Sequence, residues 1–301
     1  MMLGQAAGLA RPLPVAVGGV PLALAGASSF GFSLRTATTQ DVTVFWGDGS
    51  SDTESVGSGA DVVFSHTYTG SFTGRIRVKP VNGPSAVTLF SSWTGTLGAI
   101  RFTTASLAPF TALATMVANS NGSAFGGPVL ALPRSLTNLQ LGGTMVSPGG
   151  CTGSPADLPP NLVTCIFSGS LHAVAGALSA FPDSISTLNM QGACIITGAV
   201  QDAPTSCVSL HIRGLSTLSG YNGTPWKAGT QNVSFVRLDN ALNVLSSGEV
   251  DELINDLNAQ AARPSNGSIF LAGTLIGART AASDAAVTAL QAAGWTVSTN
   301  T

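Results

Sequence analysis

The chain has 301 residues, enough for about two domains without metals or disulfides to hold a small core together. Twelve Lys and Arg against fourteen Asp and Glu give a formal charge of -2, so no basic field exists to draw in nucleic acid or an anionic membrane. Charged residues make up 9% of the chain, against about a quarter in an ordinary soluble domain. A surface so poor in charge suits a protein that lives as a homo-oligomer or inside a large assembly.

Residues 1–27 begin with an apolar stretch that imitates a secretory leader. Pro12, Pro14, Gly18, Gly19 and Pro21 interrupt any helix there, so the segment reads as an extended arm lying on a neighbour or on its own next domain. No stretch is apolar and long enough to insert in a membrane.

Residues 28–84 alternate apolar and polar side chains between turns of Gly, Ser, Asp and Thr, the pattern of a small all-β domain. Within it Gly47 and Gly49 supply turn conformations, the Asp48 carboxylate can accept local backbone N–H bonds, and Trp46 and Tyr68 can pack two layers together. Trp46-Gly47-Asp48-Gly49 followed by His66-Thr67-Tyr68 and the glycine turn at Gly70 resembles the PKD domain family. The resemblance implies an immunoglobulin-like β-sandwich used for spacing and adhesion, without catalysis. Asp48, Asp52 and Glu54 also fall where a calcium loop could sit, although a plain solvated turn explains them.

Residues 85–232 carry an internal repeat. Leu132, Leu158, Phe181 and Ala203 open four copies spaced 26, 23 and 22 residues apart. Each is followed by a proline and then by three inward positions: Leu136, Leu139 and Leu141; Leu162, Cys165 and Phe167; Ile185, Leu188 and Met190; Cys207, Leu210 and Ile212. A weaker upstream copy is aligned through Pro109 with Ala112, Thr115 and Val117, and a downstream one with Val233, Val236 and Leu238. This period and spacing resemble a leucine-rich repeat, which implies one strand per rung stacking into a parallel-sheet solenoid. The asparagine that the family places after the last strand leucine is replaced by Thr144, Ser170, Ala193 and Leu215, so Gly-, Ser- and Thr-rich loops are expected on the far side in place of helices.

Residues 233–301 read as an α/β cap of the solenoid. Ser246 and Glu249 form a capping box before Val250, Leu253, Ile254 and Leu257 on one helical face, and a second helix is expected over Ala281 to Ala293, ended by Gly294.

No nucleotide, metal or cofactor motif is present, and no cofactor is expected. Cys151, Cys165, Cys194 and Cys207 have no CxxC spacing and read as buried thiols. His172 has no role in this reading. Asp157, Asp183 and Asp202 sit beside the repeat prolines as turn residues, whereas a glycan hydrolase needs two carboxylates about 5–10 Å apart.

Strand alternation turns the residues between the repeat leucines outward. One column is Asn138, Thr164, Thr187, Ser209 and Phe235, and the next is Gln140, Ile166, Asn189, His211 and Arg237. This strip is the candidate binding face. The whole points to a non-enzymatic structural protein of a phage virion, a capsid decoration or tail-associated component. Its partners would be other virion proteins, through the arm and the sandwich, and a host-surface glycan or protein. The alternative is a bacterial surface or secreted adhesin.

Overall fold

A computed structural model describes residues 19–95, 101, 103–118, 125–142, 150–222, 233–240, 242–260 and 263–300, with backbone alone at 92–95. The chain is mainly β. Five strands form its first part: β1 (Val20–Thr36), β2 (Gln40–Phe45), β3 (Ser51–Val56), β4 (Val62–Pro80) and β5 (Val87–Gly95). β1 and β4 pair antiparallel along almost their whole lengths, and the register shifts on either side of Ala27 bend them. The early half of β1 lies against the late half of β4, with β2 and β3 beyond it, while β5 flanks the late half of β1.

The bend brings the two halves face to face around aromatic side chains, as the layers of a sandwich are, although all five strands belong to one sheet. Phe32 is central. Its ring stacks on Phe90 at 4.9 Å and Phe64 at 5.7 Å, and lies 6.2 Å from Trp46. Thr36 donates from Oγ1 to Val56 O and from its amide to Gly57 O, tying the end of β1 to the end of β3.

The arm expected over residues 1–27 must be shortened. Residues 1–18 lie outside the described residues, but β1 starts at Val20, and Val20, Leu22, Leu24 and Ala27 are core. Pro21 is tolerated because, among the described residues, this part of β1 has a strand neighbour on one side only, so the missing N–H interrupts no inner ladder.

The sequence boundary at residue 84 also moves, since β5 is antiparallel to β1 on one edge and parallel to β6 (Thr115–Ala118) on the other. From there the sheet continues in parallel through β8 (Asn138–Leu141), β10 (Thr164–Phe167), β12 (Thr187–Met190), β14 (Ser209–Ile212) and β16 (Phe235–Arg237) to β17 (Ser268–Leu271) and β18 (Thr296–Thr299), thirteen strands in all. A second parallel sheet lines the opposite side: β7 (Gly126–Pro128), β9 (Gly150–Gly153), β11 (Ala173–Ala177), β13 (Ile195–Gly198) and β15 (Thr217–Leu218). Short strands and 3-10 turns thus occupy the side where irregular loops were expected.

Each rung turns back into the large sheet through one repeated bond. Leu136 N, Leu162 N, Ile185 N and Cys207 N donate to the carbonyls of Pro133, Pro159, Pro182 and Pro204. In the upstream rung the equivalent bond runs from Leu113 N to Phe110 O, so Phe110 holds the place of the proline. That corrects the alignment through Pro109: Leu113 and Met116 are fully buried with Ala118 beside them, and Met116 pairs with Leu139. Thr115 and Val117 face outward, because a slip of one residue reverses every side chain of a strand.

The C-terminal part follows the expected order, with α1 (Ser247–Asn258) between β16 and β17 and α2 (Asp284–Ala292) between β17 and β18. Ser246 N donates to Glu249 Oε2 at 2.6 Å and Glu249 N to Ser246 Oγ at 3.3 Å, closing the capping box. The first three residues of the expected second helix form a 3-10 turn, Ala281–Ser283, held by the buried Asp251 carboxylate, which accepts from Thr280 and Ser283.

The corrected register has a direct consequence. Met116→Ala is expected to cost about 2–4 kcal/mol of unfolding free energy, whereas Thr115→Ala stays within about 0.5 kcal/mol of the parent. Urea unfolding of the two variants distinguishes the registers, since the alignment through Pro109 requires the opposite ranking.

Candidate functional site

The strand registers bring all ten strip residues together. Across β8, β10, β12, β14 and β16 the pairs run Asn138, Thr164, Thr187, Ser209, Phe235 and, one column over, Gln140, Ile166, Asn189, His211, Arg237. Thr115 and Val117 extend the columns at one end, and Ser268 and Phe270 extend them through β17. Every member is half-buried, because neighbours about 4.8 Å apart shield one another.

The amides are locked along their strands. Gln140 Nε2 donates to Asn138 Oδ1 at 3.1 Å and Gln191 Nε2 to Asn189 Oδ1 at 2.9 Å, which fixes which edge each amide presents. Toward the C-terminal end the strip becomes aromatic and charged. His211 and Phe235 rings lie 6.0 Å apart and Phe235 and Phe270 5.9 Å; Asp239 accepts from Arg237 Nε at 3.1 Å and forms an ion pair with Arg213, whose Nε lies 3.1 Å away. Burial, then Arg237 and Arg213, hold the His211 imidazole down at about 4.

Behind the strip, inside the solenoid, polar groups satisfy the turns that lead into the second sheet. Cys151 N donates to His172 Nδ1 at 3.0 Å, Cys194 Sγ to His172 O, Ser216 Oγ to Cys194 O, and Ile196 N to Ser216 Oγ. Asn240 and Asn243 continue the series by donating to Ser216 O and Ile212 O. This ladder lies one or two residues beyond Ser170, Ala193 and Leu215, which stand where the leucine-rich-repeat pattern would place its asparagine; Thr144 lies outside the described residues. His172, without a role in the sequence, is its most buried ring, set edge-on to Phe167 at 5.1 Å, and burial holds its imidazole at about 4. The four cysteines are free and buried, and burial raises the thiol of Cys194 to about 11, far from a reactive thiolate.

The N-terminal motif also converges. Tyr68 donates to Trp46 O at 3.1 Å, and the Trp46 indole donates to Asp52 at 2.7 Å. The His66 ring stacks on Trp46 at 5.1 Å and meets Tyr68 edge-on at 4.6 Å. Asp48 lies 2.8 Å from His66 Nε2 and accepts from Ser50 N and Oγ; burial raises its carboxyl, but these bonds prevail and hold it at about 2. Ser50 and Asp48 share the same ring nitrogen of His66, so the three do not form a relay, which needs the carboxylate on the other nitrogen. Asp48 and Asp52 serve different partners, and among the described residues no cluster of three or more His, Cys, Asp or Glu could hold a metal. In the solenoid Asp157, Asp183 and Asp202 each accept a backbone N–H of a turn.

Comparison of the chain with protein-family models, with curated proteins and with solved structures found no match in any of the three.

Two measurements follow from this geometry. The folded state keeps His172 neutral down to about pH 4, while the unfolded chain takes up the proton near 6.5. Stability from this group is therefore complete above 6.5 and falls as the pH is lowered to 4, by about 3 kcal/mol in all. Urea unfolding at stepped pH should show that fall, and His172→Asn should make it shallower, leaving the part that His211, also held at about 4, contributes over the same window. Gly47 has φ 88° and an added Cβ would meet Arg75 O at 2.6 Å, whereas at Gly49, φ 104°, it meets nothing within 4 Å. Gly47→Ala should therefore cost about 2 kcal/mol or more and Gly49→Ala about 1 kcal/mol, read by thermal unfolding.

Proposed function

We propose that the chain is a non-enzymatic structural component of a phage virion, a capsid decoration or tail-associated protein, that holds an outward sheet face toward the host surface. In this reading the first part is a PKD-like unit and the remainder a leucine-rich-repeat-like solenoid. The WGDG turn tied through His66 and Tyr68 supports the first, and rungs of 22–26 residues, each adding one strand to the parallel part of the large sheet, with an internal polar ladder, support the second.

The observation that carries the functional reading is the face itself. Residues held in register on seven parallel strands give a long strip of amides, hydroxyls and rings with little charge, on a sheet that runs unbroken from the N-terminal unit. Such a strip recognises extended surfaces by many hydrogen bonds, and the low overall charge suits dense packing among copies. A bacterial surface adhesin would use the same strip.

The test is mass spectrometry with antibody labelling of purified phage particles from the source culture, with cell-surface and secreted fractions alongside. Stoichiometric recovery at capsid or tail is expected. Recovery on cells and absence from particles would replace this reading with the adhesin.

A further inference from the structure

The strip is not uniform. Along β8, β10 and β12 its members are Asn138, Gln140, Thr164, Ile166, Thr187 and Asn189, without formal charge. On β14, β16 and β17 a line of rings, His211, Phe235 and Phe270, runs across the rungs, and the Arg237 guanidinium lies 5.2 Å from the centre of the Phe270 ring.

Two guanidiniums surround the single carboxylate of Asp239, leaving one net positive charge in a chain where charge is scarce. His211 is neutral at pH 7 and adds none. Each arginine uses Nε for Asp239, and the Nη groups have no other hydrogen-bond partner among the described residues. About a third of each side chain is exposed, 37% for Arg213 and 32% for Arg237. Planar, outward-facing N–H forks of this kind match a second carboxylate, one brought by a ligand.

The ligand class follows from what surrounds the forks. β14, β16 and β17 each have strand neighbours on both sides, so their backbones offer nothing to an incoming peptide strand. Phenyl rings accept the C–H faces of a sugar, and the adjoining hydroxyl and amide columns suit its hydroxyl groups.

We propose that Arg213, Arg237, Phe235 and Phe270 form a subsite for a carboxylate-bearing sugar unit, of uronic-acid type, within a surface glycan, with Ser209 and Asn189 contacting the adjoining units. This rests on the reading of the strip as a recognition face and narrows it to acidic polysaccharide.

The full chain is tested on immobilised oligosaccharides of galacturonic, glucuronic and mannuronic acid, each beside its carboxyl-reduced counterpart, with polyglutamate as competitor. At least one acidic sugar should be preferred over its reduced form by about tenfold or more, and Arg237→Ala and Phe235→Ala should each weaken it about tenfold. Arg237→Lys should recover only part of the loss, because a point charge lacks the fork. Thr217→Ala, on the second sheet, should leave binding unchanged, and circular dichroism confirms that each variant is folded.

Equal binding of acidic and reduced sugars, absence of binding to any acid, full competition by polyglutamate, or binding that survives both alanine variants overturns the inference. Binding of neutral sugars without a carboxylate preference would do so while leaving the recognition face standing. Recovery from particles reports on location and is independent of both.

Discussion

The structure depends on β5, the strand that closes the antiparallel unit and opens the parallel one. Its backbone satisfies β1 on one edge and β6 on the other, so at the junction neither half leaves an open edge facing the other. The side chains cross the junction as the hydrogen bonds do. Phe32 stacks on Phe90 of β5, and Phe90 lies 6.1 Å from Phe110, the residue that turns the first rung, so one aromatic series links both cores. Removing either half would leave β5 with an unpaired edge and one face of Phe90 uncovered.

Beyond that junction, the solenoid repeats a small set of solutions. A turn bonded to the proline carbonyl sends each rung back, three apolar residues fill the interior, and a polar group one rung apart from the next closes the far turn. The polar group changes identity along the series, His172, Cys194, Ser216, then Asn240 and Asn243, while its task remains the same. What each rung requires is an acceptor or donor of the right reach at that position, buried backbone being intolerant of unpaired groups. The identity of the residue is secondary.

Much of this was legible in the sequence wherever burial forces a pattern. Leu139, Leu188 and Leu210 announce their strands because two faces alternate, and the outward columns follow from the inward ones. In the upstream rung Pro109 is the conspicuous landmark of the sequence, yet the turn is built on Phe110. The start of β1 is masked in the sequence because Pro21 looks like a breaker, although its place on one side of β4 accommodates it. The polar ladder is not legible in the sequence because Ala193 and Leu215 stand where the asparagine of the repeat would, one residue short of Cys194 and Ser216. The Phe270 ring and the Arg213 guanidinium are hidden for another reason: they lie tens of residues in the chain from Arg237 and Asp239, which they meet only because the rungs stack.

The unbroken sheet also bears on how many copies act together. Two domains on a flexible linker sample many orientations, and each contact of a cluster must restrict them anew. Here the N-terminal unit and the strip share hydrogen bonds through β5, so fixing one fixes the direction of the other. In the assembly proposed above, copies held side by side would present parallel, equally spaced strips with little orientational freedom left to lose, and a weak affinity per copy would be raised to a strong avidity by geometry alone.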